Sequence, residues 1–397
     1  MPTSRELVVL LSLPSIERGS TVRLTKKLVS GLERYLEYWD GPVRAVMPPA
    51  DDQRTSGNLD EVFLERASLP FSVDVVPLGS PRMDDTIREA GLVLGGADYR
   101  LTGVAARCRT RRVPYVFNSE YSLRTRWQVA RADRKNPLKL ARSMWWEWRL
   151  EERFRREVRD SAGVQCNGTP TFDAYASLSR SPLLYFDTRT DDAMLSTNEQ
   201  LERKLAHRRQ LGGPLRLAFS GRLNAMKGAD DLPLVARELA RRGVDFTLDI
   251  CGDGPSRPAM EAAVQRHSLQ SRVRFRGVLD FASELVPRVR DEVDLFVCCH
   301  KQGDPSCTYL ETFACGVPIA GYDNEAFAGL MQRVPAGIST PLGDPVALAS
   351  AIAGWALPNE QERLDGASRA ALEFARQHTF SSTFRRRIAH LRELAES

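Results

Sequence analysis

The 397-residue sequence has little of what a metal site or a disulfide framework requires. It contains seven cysteines and five histidines, with no Cys-x-x-Cys pair and no second ligand set at zinc-finger spacing. The one local cluster of such residues is Cys298, Cys299 and His300. We therefore expect reduced thiols and no structural metal.

Long apolar runs and several common catalytic signatures are also missing. The longest apolar run surrounds Leu7–Leu11, far below the ~20 residues of a membrane-spanning helix. It also lacks the basic lead-in and cleavage site of a signal peptide, so we expect a cytoplasmic protein. No HExxH, GxSxG, Walker or GxGxxG motif occurs, which argues against proteases, serine hydrolases, P-loop NTPases and ordinary dehydrogenases.

Lysine is scarce: the chain has 7 lysines against 49 arginines, and its net charge is +5. Residues 101–150 hold 12 basic and 3 acidic side chains, whereas the other 347 residues hold 44 and 48. The excess positive charge therefore lies in one stretch, which suits phosphates, anionic lipid or nucleic acid. Because no nucleic-acid recognition motif accompanies it, we expect no specific nucleic-acid partner.

Short apolar runs alternate with longer helical patterns along both halves, as in parallel sheets covered by helices. The predicted strands of the first half are Glu6–Leu13, Val43–Met47, Val73–Val76, Gly91–Leu94, Val113–Phe117, Val164–Cys166 and Leu183–Phe186. Those of the second half are Leu215–Ser220, Phe246–Cys251, Val273–Phe275, Val293–Cys298, Val317–Ala320 and Gly337–Thr340. This α/β pattern predicts two Rossmann-like, doubly wound domains.

The predicted domains are an N-terminal one at 1–195 and a C-terminal one at 212–375, followed by a helix at 376–397. That last helix is amphipathic and could return to the N-terminal domain. The charged segment Asp191–Pro214 ends in Gly-Gly-Pro and is interpreted as the hinge.

A helix with a tryptophan stripe is predicted over 136–159. Asn136 and Pro137 supply a capping residue and a first-turn proline. Residues on one helical face are then apolar: Leu138, Ala141, Trp145 and Trp148, with arginines 142, 149, 153, 155 and 156 around them. Tryptophan with arginine is typical of a helix lying on an anionic membrane surface. The alternative is that the stripe packs in the core.

Polar residues follow three strands of the second half, where parallel sheets bind ligands. Arg222 and Lys227 flank the turn after Leu215–Ser220, and both suit a phosphate. The turn Gly252–Pro255 is interpreted as structural. The loop after Val293–Cys298 runs into a helix that begins near Ser306.

The start of that helix is a candidate anion site. The amides of Ser306, Cys307 and Thr308 could point at a phosphate, and Glu311 is placed for ribose hydroxyls. The alternative interpretation is that Thr308 and Glu311 form a capping box, which has the same spacing.

The order of these motifs resembles that of family 4 glycosyltransferases, retaining enzymes of the GT-B fold. It comprises GRLxxxKG at 221–228, GDGP at 252–255, the strand Asp294–Val297 and the helix ending in Ala314–Pro318. The resemblance implies two Rossmann-like domains facing a cleft. It also implies that Arg222, Lys227 and the amides of 306–308 bind the donor diphosphate and that Glu311 binds the ribose. The nucleotide sugar is then a substrate, and no metal or further cofactor is implied.

The sequence departs from the family pattern at two places. The first of the family's two glutamates, which contacts the transferred sugar, would stand at Gly303. We expect Asp304 or His300 to take that role. No histidine precedes His207, whereas family members often carry one after an amino-domain strand; Glu120 or Asn118 is the candidate substitute.

The loop that contains Gly19 resembles the family's glycine loop near the donor phosphate or the acceptor.

The sequence thus predicts transfer of a hexose from a nucleotide sugar to a glycan or lipid-linked acceptor, in polysaccharide or glycolipid synthesis. Basic side chains, with Glu120, would serve catalysis. The protein would be cytoplasmic, with peripheral attachment at the inner membrane face as a further expectation. The alternatives are a GT-B sugar-nucleotide epimerase and a non-catalytic nucleotide-binding regulator.

Overall fold

The computed structural model describes residues 5–50, 61–133 and 136–396. The described residues cluster into two compact units. The first comprises Met1–Leu123, Ala141–Tyr185 and Ser381–Ser397, and the second comprises Arg124–Leu140 and Phe186–Phe380. Each unit is built around one parallel sheet, so the predicted α/β class with two doubly wound sheets is confirmed.

The strands are, in chain order, β1 (Leu7–Leu10), β2 (Glu17–Arg18), β3 (Thr21–Thr25), β4 (Val43–Met47), β5 (Glu61–Glu65), β6 (Ser72–Val75), β7 (Leu92–Gly96), β8 (Tyr115–Ser119), β9 (Gly163–Asn167), β10 (Pro182–Tyr185), β11 (Leu215–Ser220), β12 (Phe246–Cys251), β13 (Val273–Gly277), β14 (Leu295–Cys298), β15 (Ile319–Tyr322) and β16 (Gly337–Thr340). The predicted apolar runs overlap thirteen of these strands. The three that they miss are β2, β3 and β5.

The α-helices are α1 (Lys26–Tyr38), α2 (Pro81–Glu89), α3 (Val104–Arg111), α4 (Leu123–Asp133), α5 (Pro137–Asp160), α6 (Thr169–Tyr175), α7 (Asn198–Leu211), α8 (Leu232–Arg241), α9 (Arg257–Arg266), α10 (Val286–Glu292), α11 (Cys307–Ala314), α12 (Glu325–Met331), α13 (Pro345–Trp355), α14 (Gln361–Gln377) and α15 (Phe380–Glu396). No helix in the described ranges is long and apolar enough to cross a membrane.

The first unit has seven parallel strands in the order β10-β9-β8-β7-β1-β4-β6. Every residue of β1 is buried, as expected for a parallel strand covered on both faces. The C-terminal helix α15 belongs to this unit: Arg387 donates through Nε to Gln165 Oε1 at 2.9 Å, and its carbonyl accepts from Gln165 Nε2 at 2.8 Å. The amphipathic last helix therefore does return to the N-terminal sheet.

A short antiparallel ribbon, β2-β3-β5, was not expected from the sequence. The strand β2 has only two residues, Glu17 and Arg18, and both are exposed. In β3 the charged Arg23 interrupts the apolar residues, and in β5 the three-residue run Val62–Leu64 lies between two glutamates. Gly19 lies in the turn between β2 and β3 with φ +59°, a left-handed conformation that glycine adopts readily. The predicted glycine loop is thus a hairpin turn of the first unit.

The second unit has six parallel strands in the order β13-β12-β11-β14-β15-β16. The strand β11 pairs with β12 on one side and with β14 on the other. The chain therefore reverses its winding direction between β11 and β14. In open α/β sheets, the carboxyl ends of the two strands at such a reversal form the usual ligand crevice.

The segment Asp191–Pro214, interpreted from the sequence as the hinge, lies within the second unit. It contains the helix α7, which begins with a capping box between Thr197 and Gln200. Leu201 and Leu205 of this helix pack against Leu372 in a buried cluster. The hinge interpretation was wrong because the two leucines are few among many charges, and only packing shows that they face α14.

The helix α5 begins where the sequence predicted. Asn136 caps it, because its Oδ1 accepts from the amides of Leu138 at 3.0 Å and Lys139 at 3.2 Å. A different face from the tryptophan stripe enters the core, through Leu150, Phe154 and Val158. The stripe itself is exposed, as the relative accessibilities show: Leu138 81%, Trp145 57% and Trp148 47%. Trp146, which lies beside the stripe, is 44% exposed. The core-packing alternative for the stripe is therefore wrong.

Candidate functional site

The turn after β11 places Lys227 against the loop after β14. The amide of Lys227 donates to Asn224 Oδ1 at 3.0 Å, which fixes the turn. Gly228 has φ +62°, and a Cβ there would collide with the carbonyl of Cys299. The turn can approach the end of β14 so closely only because this residue is glycine.

The Lys227 ammonium lies at the centre of a polar cluster. Its Nζ is 3.1 Å from Asp304 Oδ2 and 3.5 Å from Ser306 Oγ. Lys227 and Asp304 are only 13% and 14% exposed. Lys227 and Asp304, which the sequence assigned to the donor site from separate motifs, are therefore in direct contact. They meet at the switch point of the sheet, where the winding reverses between β11 and β14.

Ser306 is the N-cap of α11, as the sequence predicted, although its side chain does not bond an amide of the helix. Its hydroxyl instead lies 3.2 Å from Thr308 Oγ1. Since Thr308 is the second residue of the helix and not its cap, Thr308 and Glu311 do not form a capping box. That alternative is wrong, and Glu311 is left with another partner.

The partner of Glu311 is Arg189, which donates from Nε to Glu311 Oε1 at 2.9 Å. The guanidinium of Arg189 also lies over the ring of Phe281, 4.1 Å from its centroid. Sequence reasoning missed Arg189 because 122 residues separate it from Glu311 and no local motif marks it. The carboxylate proposed for ribose is thus already held in place by a cation.

The loop after β14 contains buried polar atoms that no other described group satisfies. They are His300 Nδ1 and Nε2, Gln302 Oε1 and Asp304 Oδ1. The ring of His300 is fully buried and lies beside Phe219 and Tyr309. Burial, with a smaller contribution from Lys227, holds the pKa of His300 well below its ordinary value, so the imidazole is neutral. Each unsatisfied buried group costs about 1–3 kcal/mol, which a polar ligand would offset.

Further candidates from the sequence are Arg222, Cys307, Glu120 and Asn118. Arg222 is exposed on the turn after β11, and no ion pair joins it to a described residue. Cys307 donates to Asp187 Oδ2 at 3.7 Å. Glu120 is an exposed residue after β8 of the first unit, and its neighbour Asn118 already accepts from the Tyr185 hydroxyl at 2.9 Å.

The turn Gly252–Pro255 is structural, as expected. A Cβ on Gly252 would collide with the Gly221 carbonyl, and the amide of Leu223 donates to the Asp253 carbonyl at 2.9 Å. This turn therefore supports the one that carries Arg222. In the described ranges, no group of three or more His, Cys, Asp or Glu side chains is arranged to hold a metal ion.

Solved structures match this chain over nearly its whole length. The chain is similar to HepE of Anabaena, solved with UDP, with a TM-score of 0.62 and 16% identity, over 98% of this chain and 99% of that one. It is also similar to the lipopolysaccharide outer core galactosyltransferase WaaB, with a TM-score of 0.63 and 11% identity, over 98% and 99%. The fold is GT-B.

The GT-B fold agrees with the sequence of the second unit. Residues 214–356 match the family model "Glycosyl transferases group 1". The 2-deoxystreptamine glucosyltransferase of Streptomyces kanamyceticus is 30% identical over 143 residues. That match spans 36% of this chain and 36% of the relative, so the chain matches little more than a third of that relative's length. The resemblance to glycosyltransferases that the motifs predicted is confirmed.

Proposed function

We propose that this protein is a retaining glycosyltransferase that uses a nucleoside diphosphate hexose, with UDP-glucose as the first candidate donor. The observation that carries the proposal is the contact of Lys227 with Asp304 and Ser306 at the switch point. Beside it lie the buried polar atoms of the loop after β14 that no described group satisfies. The similarity to HepE, which was solved with UDP-glucose, favours the donor. No metal ion and no further cofactor are needed in this proposal.

The chemistry follows from where charge develops. As the sugar–phosphate bond breaks, negative charge grows on the departing diphosphate, and the ammonium of Lys227 and the guanidinium of Arg222 stabilise it. The amides of Ser306, Cys307 and Thr308 at the start of α11 add partial positive charge. The acceptor hydroxyl attacks from the side on which the nucleotide leaves, and a diphosphate oxygen takes its proton. Glu120 is kept as a catalytic candidate near the transferred sugar, and Gly19 as a candidate near the donor phosphate or the acceptor.

A panel of nucleoside diphosphates and nucleotide sugars tests the proposal. A ligand at 100 times its dissociation constant stabilises the fold by about 2.7 kcal/mol, which thermal unfolding detects. Incubation of the best ligand with candidate acceptors should then give a product with the anomeric configuration of the donor. Release of an epimerised sugar nucleotide would support the epimerase instead. Binding without turnover on any acceptor would support a regulatory protein.

Replacement of Glu311 by glutamine tests its role at the ribose. Because no capping box exists, melting should stay near that of the wild type, and the lost pair with half-exposed Arg189 costs only about 0–1 kcal/mol. We expect UDP affinity to fall about ten- to a hundredfold by calorimetry, as for loss of a charged hydrogen-bond acceptor. Arg189→Gln breaks the same ion pair but keeps the carboxylate, so it should retain UDP affinity. Equal losses in both variants would contradict the ribose assignment.

We further propose that the acceptor is lipid-linked and that α5 rests on an anionic membrane surface. The exposed stripe combines Trp145 and Trp148 with basic side chains, and Arg149 lies 5.3 Å over the ring of Trp145. Trp146 contacts Tyr99, which is also exposed. An aromatic patch beside cations is complementary to anionic headgroups. The second candidate is a soluble aminocyclitol acceptor, which the match to the 2-deoxystreptamine enzyme favours.

Vesicle sedimentation distinguishes these acceptors. The protein should sediment with anionic vesicles and not with neutral ones, and high salt should release it. Each cation near the surface contributes about 1 kcal/mol, so Arg142→Gln/Arg149→Gln should weaken binding about thirtyfold. Leu357→Ser, which replaces an exposed apolar residue of the second unit, is the matched control and should bind normally. Absence of vesicle binding at low salt would leave the soluble acceptor.

A further inference from the structure

Gly303 stands where the resembled family has a glutamate, and α4 holds its backbone. The amide of Gly303 donates to Gln128 Oε1 at 2.8 Å, and its carbonyl accepts from Thr125 Oγ1 at 3.1 Å. Its φ is not positive, so the backbone conformation does not require glycine. Glycine differs from other residues here in how little space it needs.

The space beside Gly303 is filled by another acidic side chain. A Cβ at position 303 would lie 3.0 Å from Glu325 Cβ, 3.1 Å from Glu325 Oε2 and 3.2 Å from Thr125 Oγ1. All three distances are shorter than ordinary carbon contacts. A side chain on residue 303 would therefore require these neighbours to shift by a few tenths of an ångström, and the carboxylate of Glu325 lies beside the place where that side chain would begin.

Glu325 is fixed by elements that also fix the donor loop. It is the first residue of α12, whose N-cap Asn324 donates from Nδ2 to the His300 carbonyl at 3.1 Å and to the Tyr309 hydroxyl at 3.2 Å. Glu325 Oε2 lies 3.4 Å from Thr125 Oγ1, and Oε1 lies 3.7 Å from Arg124 Nη1. The carboxylate is thus held at the side of the loop that carries Asp304.

Asp304 is poorly suited to replace the missing glutamate. One of its oxygens is paired with Lys227 at 3.1 Å, the cation assigned to the diphosphate. An acid used in that way neutralises a phosphate-binding charge and does not offer both oxygens to sugar hydroxyls. Glu325 Oε1 lies 3.7 Å from Arg124 Nη1 on α4, a longer separation than the 3.1 Å between Lys227 and Asp304.

We propose that Glu325 supplies the carboxylate that accepts hydrogen bonds from the hydroxyls of the transferred sugar, in place of a side chain at Gly303. The inference rests on the proposed function and names its sugar-recognition residue. The carboxylate of Glu325 reaches the space beside Gly303 from the loop between β15 and α12. Thr125 and Gln128 of α4 hold the backbone of Gly303 next to this carboxylate.

The first test compares Glu325→Gln with the wild type by calorimetry. Three nucleotide sugars, UDP-glucose, UDP-N-acetylglucosamine and GDP-mannose, are screened, and the tightest is measured beside its nucleoside diphosphate. In Glu325→Gln we expect the dissociation constant of the nucleotide sugar to rise about ten- to a hundredfold, with that of the nucleoside diphosphate changed less than twofold. Glu199→Gln, the same charge change in an exposed first turn of α7, should change neither constant.

The second test moves the carboxylate back to position 303. Gly303→Glu/Glu325→Gly removes the Cβ of residue 325 that would otherwise crowd the new side chain. This double variant should bind the nucleotide sugar at least tenfold more tightly than Glu325→Gly alone. A purely structural Glu325 would instead lower the melting temperature and leave the ratio of the two dissociation constants unchanged, which would overturn the inference alone. A wild type that binds none of the three nucleotide sugars would overturn the proposed function itself.

Discussion

Lys227→Ala is expected to lower the affinity for nucleoside diphosphates by about ten- to a hundredfold and turnover by a further factor of about a hundred. The ammonium makes a charge-assisted contact, each of which contributes about 1.5–3 kcal/mol. Its effect on turnover is larger because the charge that it faces grows as the nucleotide leaves. Affinity for the nucleoside without phosphates should stay unchanged, as calorimetry can measure.

A matched lysine provides the control for that variant. Lys301 also pairs with an aspartate, with its Nζ 2.9 Å from Asp231 Oδ1, and its amide bonds the carbonyl of Met226 in the turn that carries Lys227. Lys301→Ala should keep nucleotide affinity within about threefold. Equal losses in the two variants would show that general positive charge, and not the Lys227 contact, binds the phosphates.

Lys227→Ala should also lower the melting temperature, because it leaves Asp304 buried without its cation. The free energy of unfolding should fall by about 1–3 kcal/mol. The double variant Lys227→Ala/Asp304→Asn should recover melting temperature but not affinity. Arg222 offers the opposite case: it is exposed and joined to no described residue by an ion pair, so Arg222→Ala should weaken diphosphate binding without changing the melting temperature.

The fold is expected to lose stability steeply above pH 9 because of its buried thiols. None of the seven cysteines forms a disulfide bond. Burial raises the pKa of Cys108, Cys166, Cys298 and Cys315 to about 12 and that of Cys251 to about 11. Cys299 is shifted in the same direction. Unfolded thiols ionise near pH 8.5, so the folded state holds protons that the unfolded state releases.

The sign and size of this effect follow from proton linkage. Where the folded state binds more protons, stability falls as pH rises, by about 1.4 kcal/mol per pH unit for each thiol. At pH 10 each buried thiol therefore lowers the free energy of unfolding by about 2 kcal/mol relative to neutral pH. Lys204 acts in the opposite direction, since burial lowers its pKa to about 8 and stability from that group rises with pH above this value. One lysine against six thiols leaves a net loss.

Urea unfolding at pH 7, 8, 9 and 10 with a reductant present measures this dependence. Stability should be nearly constant to pH 8 and then fall. Cys108→Ala, which removes one fully buried thiol of the first unit, should make the decline shallower by about a sixth. A midpoint that stays constant to pH 10 would contradict the assignment.

Much of the second unit could be predicted because its signals are local. Apolar runs of four to six residues located β11, β12 and β14, and the glycines of GRLxxxKG and GDGP marked turns that only a residue without a side chain can form there. Ser306 was recognised as the start of a helix for the same reason. Backbone conformation and strand burial depend mainly on residues that are neighbours in the chain. A single sequence is therefore enough to predict these strands and turns.

The partners of those local elements could not be predicted. Arg189 meets Glu311 across 122 residues, and Thr125 meets Gly303 across 178. No periodicity or spacing encodes which distant side chain will fill a given space. The exposed tryptophan stripe of α5 shows the same limit, because an apolar face predicts burial somewhere but does not name the surface that covers it.

The sequence by itself determined the two parallel sheets, the motif order from Arg222 to Pro318 and the concentration of charge in 101–150, since these depend on composition and on neighbours in the chain. Tertiary structure alone decided that Asn198–Leu211 is a packed helix of the second unit, that Glu311 is paired with Arg189, and that Glu325 lies beside Gly303. The physical reason is that a side chain's function depends on the atoms within a few ångströms of it, and folding brings those atoms from anywhere in the chain.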